Sequence, residues 1–184
     1  MTAAAAPAIV AAMSAYHHTV VQMSNMLRSL RGCLAKAKAF ADHKQCSADE
    51  FVSFRLTLDM RPFGFQIQSA CDTAKASAAR LAGIEAPKHE DNETTLAELE
   101  ARIDKTLEFL ATLTEEQFTD ADEREIRLPF LPGKAARGAD YLREFALPNF
   151  YFHVTTAYAL LRMAGVSVGK RDYITTMTMY DLSE

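Results

Sequence analysis

The segment PNFYFHVTTAYALLRMAGVSVGKR, Pro148–Arg171, decides the fold class. Pro148 fixes φ and lacks an N–H, so it suits the first turn of a helix and poorly suits an interior. From there the residues stay helical in character up to Gly165, a C′ residue able to close the helix in the left-handed region. Phe150, Val154, Ala157, Tyr158, Leu161 and Ala164 recur on one side, and Phe152, Ala159 and Met163 occupy a second. A helix apolar nearly all round belongs at the centre of a bundle, or between its own core and a second subunit. Its one polar strip is Asn149, His153 and Thr156, spaced i, i+4, i+7. A His at the edge of an apolar stripe can be a metal ligand, a general base or a hydrogen-bonded core residue.

The remaining composition agrees with helices. The chain has 184 residues, 49% of them hydrophobic, with only 7 glycines. That length suits one domain, 1–184, able to bury a core without staples. A net charge of −4 argues against a sequence-independent nucleic-acid binder, which needs a basic face. No apolar run approaches the roughly 18–20 residues needed to span a bilayer. The Ala-rich start has no Lys or Arg before Arg28, so it reads as the beginning of a first helix rather than a signal peptide. Cys33, Cys46 and Cys71 form no CxxC pair, the pattern of reduced thiols, and the expected location is cytoplasmic.

In chain order, a first helix is expected from near Pro7 to about Arg31, kinked at Gly32 and resumed over Leu34–Phe40. His17 and His18 point about 100° apart and cannot share a face. Ser47–Glu50 reads as a capping box before a short helix. A further helix is expected from Asp59–Pro62 to Leu81, stopped by Gly83, with Phe63, Ile67, Ala70, Ala74 and Leu81 inward. Asp59 and Gln66 fall on that same stripe, as a cap or as members of an internal site. Ile84–Asn92 reads as a loop with a solvated His89. Thr95–Glu98 is a second capping box, opening a helix with Leu96, Leu99, Ile103, Leu107, Leu110 and Leu113 on one face. Thr114–Gln117 caps another turn. Alternation at Ile126, Leu128 and Phe130 before Pro132–Gly133 predicts a small hairpin or extended excursion. A short helix over Ala139–Leu147 should then meet a kink or break at Pro148.

Several of these stretches together carry a resemblance. LPNFYFHVTTAYALLR with the following Gly-Val and GKRDY, the Asp59–Pro62 motif, ACDTAK at Ala70–Lys75 and Glu93–Leu99 resemble a bacterial domain-of-unknown-function family of the DinB-like (YfiT-like) superfamily. The resemblance spans nearly the whole chain and implies an all-α, DinB-like four-helix bundle, often a homodimer. It also implies a divalent metal, zinc or nickel, held by three histidines, two of them as HxxxH near the start of the last helix. His153 stands where the second of these would be, and Asn149 stands where the first would be. The third would come from the helix after Asp59, which has no His; Asp59 and Gln66 are the substitutes there. An amide oxygen is a poor ligand for metals that suit imidazole, so the triad is incomplete.

Three functional readings follow. The first is a bundle with a degenerate metal site that binds a small molecule in an internal polar pocket of His153, Asn149, Tyr158 (or Tyr151) and Gln66. The second is a metal-dependent thiol S-transferase or isomerase with His153 as a ligand and Asp59 or Asn149 filling the shell. The third is a non-catalytic, dimeric interaction protein. The sequence has no P-loop, dinucleotide-binding glycine pattern, HExxH or GxSxG.

Overall fold

The computed structural model describes residues 14–179 and 181. Four long helices form the frame: α1 (Met23–Lys44), α2 (Phe63–Ala82), α3 (Leu96–Ala111) and α5 (Leu147–Met163), with one-turn helices α4 (Gly138–Asp140) and α6 (Lys170–Tyr173) flanking α5. Helix α2 packs against α3 and α5, and α1 closes the ring against the same two helices. The protein is therefore an all-α bundle in the cyclic order α1, α3, α2, α5. A two-stranded antiparallel hairpin, β1 (Glu125–Arg127) and β2 (Ala135–Arg137), pairs Ile126 with Ala136 and precedes the last long helix. No helix among the described residues is long and apolar enough to cross a membrane.

The helix ends follow local rules. Thr95 accepts from Glu98 N while Glu98 accepts from Thr95 N, completing the capping box of α3. Asp49 reaches across from the 3₁₀ turn Ala48–Ser53 to accept from Leu96 N at 2.8 Å, so a neighbouring element helps to cap α3. Ser47 caps that turn through Asp49 N, and the expected Glu50 half of its box is not formed. After α5, Gly165 adopts φ 91° while Val166 N donates to Leu161 O and Gly165 N to Arg162 O. This is the paired bonding of a Schellman cap. Helix α2 stops likewise at Gly83, φ 71°.

Three expectations change. Helix α1 runs through the exposed Gly32 unbroken, and the segment that leads into it, His17–Gln22, is π-helical. A start near Pro7 falls outside the described residues. Pro148 does not break the last helix: Tyr141–Ala146 is π-helical and runs directly into α5. A proline removes the N–H that would bond back one turn, and a π-turn there re-registers the carbonyls it leaves over. Finally, Asp59 lies in a turn ahead of α2, whose N-cap is Pro62.

The core is continuous, running from Met23, Leu27 and Leu34 of α1 through Phe63, Ile67, Leu81, Leu99 and Ile103 to Phe150, Val154 and Leu161. Each such side chain contributes about 1.5–3 kcal/mol by leaving water. Helix α5 is not buried all round, for Phe152 and Met163 are both 55% exposed. Its buried face meets α2, and that seam positions the candidate site.

Candidate functional site at the seam of α2 and α5

Two polar rungs cross this otherwise apolar seam. Gln66, 1% exposed, places Oε1 2.8 Å from Nδ1 of His153. Two turns farther along α2, Thr73 Oγ1 accepts from Asn149 Nδ2 at 2.7 Å and donates to Ser69 O at 2.7 Å. The rungs pair a later residue of α2 with an earlier one of α5, so the helices run antiparallel here. Buried polar groups in a seam cost energy unless bonded, and each of these has its partner.

The first rung fixes a protonation state. Gln66 Nε2 donates to Arg61 O at 2.9 Å. A carbonyl can only accept, so the amide NH₂ must face Arg61 and Oε1 must face His153. Nδ1 of His153 therefore carries the hydrogen, and Nε2 is left with its lone pair. An acceptor behind a histidine in this manner sets the tautomer and raises the basicity of the outward nitrogen. Burial lowers the imidazole pKa of His153 from its ordinary value, so the ring is neutral at pH 7. Nε2 makes no hydrogen bond among the described residues.

Aromatic rings bracket the imidazole. Phe65 and Phe152 meet it edge-on, with centroids 5.9 and 5.2 Å away. The guanidinium of Arg61 lies 4.4 Å from the centroid of Phe65. Neither Phe65 nor Arg61 was marked by the sequence pattern. Both become relevant because the chain entering α2 folds back over its first turn, where Phe63 N donates to Phe54 O.

The other sequence candidates lie elsewhere. Tyr158 sits five residues after His153, about 140° round the helix, and packs edge-on against Tyr173 of α6. It is not part of the His153 site. Asp59 is exposed, accepts from Thr57, and is held below the usual carboxylate range by that bond. It makes no bond to His153. Among the described residues no group of three or more His, Cys, Asp or Glu could hold a metal ion. The donor chemistry agrees: Gln66 spends its oxygen on His153, Asn149 offers an amide, and one imidazole remains. This set does not fit a three-imidazole zinc or nickel centre.

A second polar centre went unread in the sequence. Arg102 of α3, with its side chain 1% exposed, donates through Nη1 to Glu93 Oε1 (2.8 Å) and Glu90 O (2.9 Å). Its Nη2 lies 2.9 Å from Asp72 and 2.8 Å from Asp91, close charge contacts off the hydrogen-bonding axis, and Nε has no partner. Lys75 joins through Asp72 at 3.0 Å. His89 lies partly buried beside this group, its pKa lowered first by burial and then by Lys75 and Arg102. The signal was present: Arg102 and Thr106 interrupt the apolar face of α3 at i, i+4. The adjoining cavity, about 420 Å³, is lined by Lys88, Arg102 and Lys105 against Glu90, Glu93 and Glu98, a balance that favours no charge class.

A family model described as Domain of unknown function (DUF1993) matches residues 15–174. The chain belongs to this family. A crystal structure of a DinB family member protein from Shewanella denitrificans is 45% identical, with a TM-score of 0.87, and the match covers 91% of this chain and 95% of that one. The family is thus DinB-like, as the sequence motifs implied, and the bundle is a DinB-like bundle. No curated protein matches the chain.

Proposed function

We propose that this DinB-like protein binds a small molecule at the α2–α5 seam, with Nε2 of His153 accepting a hydrogen bond from an acidic O–H, N–H or S–H of the ligand. One observation carries the reading: Gln66, pinned by Arg61 O, holds Nδ1–H inward and turns the Nε2 lone pair outward. Phe65 and Phe152 supply the apolar walls usual in ligand sites, and a small number of placed polar groups supplies orientation.

The test is NMR of the His153 imidazole nitrogens at pH 8, with a thermal-shift screen of hydroxyl-, thiol- and amine-bearing compounds. Wild type should show protonated Nδ1 and bare Nε2, and Gln66→Leu should release that preference. A ligand that stabilises wild type should lose its effect in His153→Ala. A protonated Nε2 in wild type, or stabilisation indifferent to His153, overturns the reading. Elemental analysis separates it from the thiol-transferase alternative: stoichiometric zinc or nickel in wild type, lost in His153→Ala, would favour the metal instead.

A further inference from the structure

Arg61 carries a charge that nothing else in the site uses. Its guanidinium lies over the face of Phe65, whose ring packs steeply inclined against that of His153. It forms no ion pair among the described residues. The first turn of α2, immediately after it, contains no acidic residue. Stacking on an aromatic face holds a guanidinium in place while leaving its edge donors outward. One phenyl ring therefore lies between a neutral hydrogen-bond acceptor and a guanidinium that no carboxylate pairs with at contact among the described residues.

We propose that the ligand is a small carboxylate bearing a hydroxyl or thiol. Its O–H or S–H donates to His153 Nε2, its carboxylate pairs with Arg61, and its body lies against Phe65 and Phe152. This rests on the reading of His153 as the ligand's acceptor. The net charge of −4 opposes an anion only at long range, where about 8–10 Å of physiological electrolyte screens it. Arg61 acts at contact. Because Arg61 is exposed, its effect on affinity is modest, about fivefold at low salt.

The probes are 4-hydroxybenzoate and its neutral isostere 4-hydroxybenzamide, titrated against the full chain by calorimetry, with the His153 imidazole signal followed wherever that residue is present. Wild type should bind the carboxylate up to about fivefold more tightly at low salt. Arg61→Gln should bring the ratio to about one without weakening the amide, and His153→Ala should abolish the response to both. Equal binding of the two probes by wild type, with His153 still required, overturns the carboxylate proposal and leaves the His153 site standing. A preference that survives Arg61→Gln overturns the role of Arg61. Neither probe moving the His153 signal overturns the site and this proposal with it. Arg61→Gln changes an exposed side chain, and Gln66 is held by the residue 61 backbone carbonyl, so loss of fold does not obscure the result.

Discussion

At the scale of single residues, His153 and Gly138 make the sharpest claims. Burial lowers the His153 pKa, whereas the unfolded chain titrates near the ordinary value of about 6.5. Between the two, the unfolded state binds more protons, so stability is fully present above about 6.5 and declines as pH falls through the folded pKa. His18 and His89 are lowered as well, burial first in each case, so all three push the same way. Urea denaturation from pH 8 to 5 should show that decline, and His153→Gln should make it shallower. An unchanged slope would place the histidine in ordinary solvent. Gly138 is constrained by space: a Cβ there would stand 1.8 Å from Ala121 O. Gly138→Ala must move backbone, and a loss of about 2–3 kcal/mol is expected in the same assay.

At the scale of elements, legibility tracks how local the determining interaction is. The box at Thr95 and the Schellman cap at Gly165 are settled within a few residues, and both were readable as letters. Continuity through Pro148 was not, because the π-turn that accommodates it depends on how Tyr141 and Leu142 bury. Gln66 and His153 were each visible as polar interruptions of an apolar stripe, but their pairing belongs to the packing of two helices distant in sequence. The placement of Tyr158 failed for the same reason: helix spacing gives an angle, and only the docked α6 shows which side faces what. Arg102 clamps an element in the same non-local manner, tying the α2–α3 connection to α2 through Glu93, Asp91 and Asp72. Burial alone would raise the Glu93 pKa, yet hydrogen bonds from Arg102 and Gln68 outweigh it and the net shift is downward. A depressed carboxyl stabilises above its unfolded pKa and loses that contribution as pH falls through the folded value. Arg102→Met strands these carboxylates and should cost about 3 kcal/mol at pH 7. The deficit should shrink toward pH 4 as Glu93 takes up its proton. A deficit independent of pH would make the role of Arg102 one of packing alone.

At the scale of the whole molecule, the question is whether the hairpin, the two one-turn helices and the bundle form one cooperative unit. Ile126 and Leu128 of the hairpin region are buried in the same core as Leu81 and Phe118. Beyond α5, Val166 and Val168 are buried too, Lys36 of α1 pairs with Asp172 at 2.7 Å, and Ser29 bonds to Thr175 at 2.6 Å. The C-terminal segment is thereby fastened to α1, the other end of the chain, through groups that no periodicity in the tail announced. Such closure argues that neither the hairpin nor the C-terminal segment melts by itself: exposing Val166 and Val168 would open the α1–α5 side of the core. Scanning calorimetry should then give a single transition with van't Hoff and calorimetric enthalpies in agreement. For a chain of this length the heat-capacity increment should be about 2–3 kcal/mol/K. Asp172→Ala, which removes both the Lys36 pair and the bond from Gly169 N, should lower Tm by a few degrees, on the order of 1 kcal/mol, while keeping one transition. A separate low-temperature shoulder in that variant would show that the C-terminal segment is a unit of its own, docked on a bundle that folds without it.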